Sequence, residues 1–186
     1  MILKINLHKS HFASKLDIPL RYGKIPLQVS TVPNYIYPIE YMTWLIKKRL
    51  VIIGGTTGIG LSASMAFVKE GACVVVVGRD EDNSLKACQL LGEQATSLTG
   101  DAVQEETAYQ AISLCEEKFG GFDGLYHVAG GSGRKFGDGP LHEITLEGWN
   151  KTMELNLTSL MLSSRAAINA FRKNKTAGSI LNMASV

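Results

Sequence analysis

The residues best placed to do chemistry together form the run Ile53-Gly54-Gly55-Thr56-Thr57-Gly58-Ile59-Gly60. It follows the apolar, β-branched stretch Leu50 to Ile53 and precedes Ile59, Ala63, Ala66 and Phe67 at helical spacing. A glycine cluster at such a strand-to-helix junction has three uses. Gly54 permits the tight turn, Gly58 lets a ligand approach bare backbone, and Gly60 lets helix and sheet pack closely. The unpaired N–H groups of the helix start then face an anion, which suits the pyrophosphate of a dinucleotide. Thr56, Thr57 and Ile59 share the loop and are read as cofactor-binding with the three glycines.

Two further positions bear on the same chemistry. Dinucleotide folds that use NAD place an acid at the end of the second strand to accept from the ribose hydroxyls. Here Gly78 holds that place and Arg79 follows, a guanidinium suited to bidentate contact with a 2′-phosphate, so NADP is the expected cofactor and NAD the alternative. Asn156 lies three residues after Met153 and seven after Trp149, among apolar positions, where a buried amide needs partners.

These residues need a scaffold, and the chain from Arg49 supplies one. Strands are expected at Leu50–Ile53, Cys73–Val77, Ala95–Leu98, Gly124–Val128 and Ser179–Met183. Between them run helical spacings: the first through Phe67, then Leu85, Cys88 and Leu91, then Ala108, Ala111, Ile112, Cys115 and Phe119, and finally a long helix lined by Trp149, Met153, Leu157, Leu160 and Phe171. Such alternation implies right-handed crossovers and an α/β, Rossmann-type doubly wound parallel sheet, order 3-2-1-4-5, with helices on both faces. Its ligand crevice lies at the carboxyl ends of strands one and four.

The spacing Gly54-x-x-x-Gly58-x-Gly60 resembles the fingerprint of the short-chain dehydrogenase/reductase family, and the resemblance extends over about residues 47–186. It implies an NAD(P)-dependent oxidoreductase moving hydride between a nicotinamide cofactor and a small carbonyl or alcohol substrate. It assigns Asp101 and Ala102 to the adenine ring, and Ala129 and Gly130 to close backbone approach to the cofactor. The segment Met153-Glu154-Leu155-Asn156-Leu157 resembles the one bearing the family's catalytic asparagine, which supports a water chain to the active-site lysine. Gly178 to Val186 resembles the strand ending in the catalytic serine, here Ser185, whose hydroxyl would hydrogen-bond the substrate oxygen.

Departures from the family pattern are equally specific. Ile53 stands where the family usually has Thr, and Asn-Asn-Ala-Gly becomes His127-Val128-Ala129-Gly130. Losing both asparagines is expected to remove ties between the central strands, with His127 a structural replacement more than an acid or base. The family delivers its proton from a Tyr-x-x-x-Lys pair. None of Tyr22, Tyr35, Tyr37, Tyr41, Tyr109 and Tyr126 has Lys at the fourth position after it. On this reading the chain is the N-terminal part of the domain, inactive alone, with its final strands missing and a homo-oligomer expected for the longer parent. The competing reading is a non-catalytic dinucleotide-binding module or sensor.

Charge and composition exclude other classes. Residues 1–49 carry eight Lys and Arg against Asp17 and Glu40, while the rest has eleven basic and fifteen acidic residues. A nucleic-acid binder would concentrate positive charge on its folded part, so no nucleic-acid partner is expected. No apolar run reaches membrane-spanning length. Cys73, Cys88 and Cys115 lack paired spacing, so reduced cysteines and no metal site are expected, in a cytoplasmic protein. Residues 1–46, with Pro19, Pro26, Pro33 and Pro38, read as a poorly ordered or non-native extension, Met42 being the preferred start. The basic first two dozen residues alternatively fit a mitochondrial transit peptide.

Overall fold

A computed structural model of the protein describes residues 44–184. The expected N-terminal extension up to residue 43 and Ser185 lie outside the described residues. The apolar runs form five strands: β1 (Arg49–Ile53), β2 (Cys73–Gly78), β3 (Ala95–Thr99), β4 (Gly124–His127) and β5 (Ser179–Asn182). They pair in parallel in the order β3-β2-β1-β4-β5, the order anticipated from sequence. Helices α1 (Gly58–Lys69), α2 (Glu81–Leu91) and α3 (Glu105–Phe119) connect the first four strands. After β4, α4 (Leu146–Met153) runs through a π-helical turn, Glu154–Thr158, into α5 (Ser159–Asn174).

The two-residue period of a strand divides the core. Val51, Ile53, Val75, Val77 and Leu125 point to the face covered by α3 and α5, where they meet Ala108, Ala111, Ile112, Cys115, Ala166 and Ala167. Ile52, Val74, Val76 and Tyr126 point to the other face and meet Leu61, Phe67, Ala87 and Leu91 of α1 and α2. Cover on both faces is why these strands read as continuous apolar runs.

Two helices bury faces other than those the apolar spacing suggested. In α2 the Asp80 carboxylate caps the helix by accepting from the Asn83 N–H at 2.8 Å. The buried residues are then Ser84, Ala87 and Leu91, while Leu85 faces outward. Along α4 and the π turn, Trp149, Met153 and Leu157 are exposed, and α5 instead buries Ser159, Leu162, Ser163, Ala166 and Ala167.

The amino ends of β1 and β4 are joined by Arg49. Its Nε donates to Asp123 Oδ2 at 2.7 Å, its Nη2 to Oδ1 at 3.0 Å, and its Nη1 to the Gly120 carbonyl at 2.7 Å. The Arg49 guanidinium holds the Asp123 carboxyl below the usual carboxylate range.

His127, at the carboxyl end of β4, is fully buried between two serines of α5. Ser159 Oγ donates to the Leu155 carbonyl at 2.7 Å and lies 3.2 Å from Nε2. Ser163 Oγ lies 2.8 Å from Nδ1 and also reaches the Leu160 carbonyl at 3.1 Å. A neutral imidazole thus has both nitrogens satisfied. His127 thus has a structural place, and its side-chain contacts run from the sheet to α5, not between the central strands.

Burial pushes the His127 pKa below its ordinary 6.5. The unfolded chain therefore binds a proton near pH 6.5 that the folded chain does not, and stability is lost as pH falls from there through the lowered folded value. Urea unfolding at about pH 7.5 and about pH 5.5 is expected to show a marked fall in midpoint for the natural chain and a much smaller one for His127→Asn. Equal falls in both would assign the acid sensitivity to another group.

Candidate functional site

A cleft of about 320 Å³ opens at the carboxyl ends of the strands, where the sheet order reverses between β1 and β4. The backbone at its floor is packed too tightly for side chains. Gly54, at φ 86°, lies against Ala129: an added Cβ would come 2.7 Å from the Ala129 nitrogen. At Gly60 an added Cβ would collide with the Gly54 carbonyl, so α1 starts directly on the turn. Gly58, at φ 51°, would meet nothing within 4 Å, since it faces the open cleft.

The start of α1 keeps its first N–H donors open. Thr57 is its N-cap residue but makes no side-chain capping bond, and the first turn holds no acid. Leu61 N–H bonds back to the Thr57 carbonyl at 3.1 Å, which leaves the N–H groups of Gly58, Ile59 and Gly60 without helical acceptors. Partial positive charge from the helix adds to these donors.

The cleft brings together every residue expected to bind cofactor: Gly54, Thr56, Thr57, Gly58, Ile59, Gly60, Arg79, Asp101, Ala102, Ala129 and Gly130 all line it. Arg79 follows Gly78 at the end of β2, is exposed, and takes part in none of the salt bridges among the described residues. Asp101 does not cap α3, whose N-cap is Gln104; its Oδ1 accepts from the Val103 N–H at 3.2 Å and holds the loop after β3. These features fit a dinucleotide: bare backbone donors for a pyrophosphate, a free cation at one wall and a carboxylate at the other.

Asn156 sits in the π turn and is exposed, which corrects its expected buried place on an apolar stripe. Its amide is nonetheless fully engaged. Nδ2 donates to the Gly131 carbonyl at 2.5 Å and to the Thr152 carbonyl at 2.8 Å, and Oδ1 accepts from the Gly131 N–H at 3.0 Å. The residue clamps the backbone that follows Ala129 and Gly130. Neither Asn156 nor His127 is among the residues lining the cleft, nor are the exposed Arg134 and Lys135 of the loop after β4.

Sequence reasoning missed two contributors. Leu155, in the π turn, lines the cleft beside Gly130, a position set by an irregular helical turn that apolar spacing does not disclose. Thr152 fastens the loop after β4: its hydroxyl accepts from the Gly133 N–H and donates to Asp138 Oδ2, each at 2.8 Å. The only sequence signal was the pair Gly133 and Gly148, since a Cβ at either would collide across this loop and helix.

Comparison with known proteins agrees with this geometry. Residues 48–186 match the family described as short chain dehydrogenase. The chain is 30% identical over 146 residues to glucose 1-dehydrogenase 2 of Bacillus subtilis, covering 76% of this chain and 55% of that protein. It is 32% identical over 148 residues to the NADP-dependent (R)-specific alcohol dehydrogenase of Lentilactobacillus kefiri, covering 78% and 57%. A solved short chain dehydrogenase from Bacillus anthracis superposes with a TM-score of 0.69 at 26% identity, over 76% of this chain and 56% of the other. The chain thus spans somewhat over half the length of the relatives it matches. With the strand order, the glycine turn and this match over most of its length in agreement, the chain belongs to the short chain dehydrogenase family.

Proposed function

We propose that the cleft binds NADP and that the protein is an oxidoreductase moving hydride between that cofactor and a small carbonyl or alcohol. The observation that carries the reading is the pairing of an uncapped, acid-free α1 start with Arg79, and no acid, at the end of β2. Backbone N–H groups of Gly58, Ile59 and Gly60 hold the pyrophosphate, Arg79 the 2′-phosphate, and the Asp101–Ala102 loop the adenine. Ala129 and Gly130 let the nicotinamide half lie against bare backbone. When bound, the cofactor supplies or accepts the hydride.

In this reading Asn156 acts as a positioning residue, fixing the backbone under the nicotinamide half through Gly131. Ser185 is assigned the hydrogen bond to the substrate oxygen. A homo-oligomer is part of the proposal, supported by Trp149, Met153, Leu157, Met161 and Ile168, which leave an apolar stripe exposed along α4 and α5. A cytoplasmic setting is also part of it, supported by three unpaired cysteines. No helix among the described residues is long and apolar enough to cross a membrane.

Two outcomes test the proposal. By calorimetry the chain is expected to bind NADPH at least roughly tenfold more tightly than NADH, and Arg79→Ala to remove most of that difference by weakening NADPH alone. Equal affinities in the natural chain would refute it. Assayed as given, the 186-residue chain is expected to bind cofactor without enzymatic turnover of carbonyl compounds, because it has no Tyr-x-x-x-Lys pair. General acid catalysis contributes roughly a hundredfold to ten-thousandfold. Rapid turnover would mean that an acid among these residues has gone unrecognised.

A further inference from the structure

Ser159 closes the π turn with two different groups. Its backbone N–H reaches past the usual acceptor to the Glu154 carbonyl, the five-residue bond that makes the turn. In a regular α-helix that N–H would go to the Leu155 carbonyl. Here the Leu155 carbonyl accepts from the Ser159 hydroxyl instead, at 2.7 Å. The hydroxyl thus replaces the bond whose loss the π turn requires. Ser159 is fully buried, and the other group at its oxygen is His127 Nε2, 3.2 Å away.

The sheet fixes the imidazole. His127 pairs with Ile53 of β1 and Asn182 of β5, and the Val128 and Ala129 N–H groups that follow it both bond to the Ile53 carbonyl, at 2.8 and 2.9 Å. The ring therefore stands on the same backbone that lines the cleft at Ala129 and Gly130. Across from it, the π turn puts Leu155 on the cleft wall and the Asn156 amide on Gly131. Neither His127 nor Ser159 lines the cleft.

We infer that His127 is a positioning residue for the cofactor: through Ser159 it holds the π turn, and through the turn it sets Leu155 and Asn156 against the cleft. The inference rests on the cleft being a dinucleotide site, and it concerns the nicotinamide half, under which Asn156 clamps the backbone. The Ser159 proton is committed to the Leu155 carbonyl, so the imidazole presents Nε2–H to the Ser159 oxygen and leaves Nδ1 to Ser163. Ser163 stands one helical turn further on, and its second partner is the Leu160 carbonyl at 3.1 Å, outside the π turn. One side of the ring carries the positioning; the other only keeps the ring in place.

The test uses the 186-residue chain and calorimetry with two ligands, NADPH and adenosine 2′,5′-bisphosphate, which keeps the adenine half and lacks the nicotinamide. Ser159→Ala and His127→Asn, whose amide reaches no further than Nδ1, remove the link to the turn. Ser163→Ala and His127→Gln, whose amide N–H reaches the place of Nε2, keep it. The first pair should weaken NADPH by roughly threefold to tenfold and the bisphosphate by less than about twofold. The second pair should bind both ligands as the natural chain does, even where thermal unfolding shows lost stability. In amide exchange followed by NMR, the Gly131 N–H held by Asn156 should lose protection in the first pair alone. Equal weakening of both ligands, an unaffected first pair, or a Ser163→Ala variant as weak as Ser159→Ala overturns the inference while the site reading stands. A natural chain that binds neither ligand removes the site reading, and the Gly131 exchange then decides by itself whether His127 holds the turn. Should His127→Asn unfold, Ser159→Ala against Ser163→Ala is the comparison read.

Discussion

The rest of the site depends on one close approach of backbone to backbone. Gly54 lies against Ala129, and Gly60 against the Gly54 carbonyl, with no space for a Cβ at either glycine. This contact brings the end of β1, the end of β4 and the start of α1 to one point, so the donors of a helix terminus open directly onto the place where the sheet order reverses. A single methyl at Gly54 or Gly60 would separate these elements and fill the floor of the cleft. The requirement is steric before it is chemical, and for that reason it is written in glycine.

The amino ends of the same two strands are held by a different kind of interaction. There the Arg49 guanidinium reaches both Asp123 oxygens and the Gly120 carbonyl, and the Asp123 N–H bonds back to the Arg49 carbonyl at 2.8 Å. Charge at one end and bare backbone at the other fix the β1–β4 register, Leu50 opposite Gly124 through Ile53 opposite His127. The register in turn decides that His127 follows the odd-numbered positions of β1 onto the α5 face. Its imidazole then needs hydroxyl partners, and α5 supplies Ser159 and Ser163 at positions that apolar spacing alone would have placed outside.

This explains which parts of the structure were legible in the sequence. The strands were, because cover on both faces demands unbroken β-branched runs, and so was the strand order, because alternating strands and helices leave few parallel topologies. The glycine loop was legible because its constraint acts on residue type and spacing within eight consecutive positions. The inward faces of α2 and of α4 through α5 were not. In α2 the Asp80 cap and the small Ser84 and Ala87 set the buried side; in α5 a buried histidine recruits serines. Apolar spacing assumes that large apolar residues go inward, and here Trp149, Met153 and Leu157 do not. The partners of Asn156 were hidden for a related reason: they are backbone atoms, and the far one is twenty-five residues away.

The π turn is where that hidden information shapes the cleft. A regular α-helix through Glu154–Thr158 would carry Leu155 and Asn156 round by the ordinary hundred degrees or so per residue, whereas the wider π turn changes their bearing relative to β4. As built, Leu155 reaches the wall of the cleft while the next residue turns its amide onto Gly131. The two act on the same stretch of chain, one by apolar contact and one by three hydrogen bonds, and they hold Ala129 and Gly130 in place without covering them. Bare backbone can serve as a binding surface only if it is kept from moving, and neither glycine nor alanine can do that for itself. The rigidity is supplied from the helix opposite, so the irregular turn and the glycine floor belong to one device.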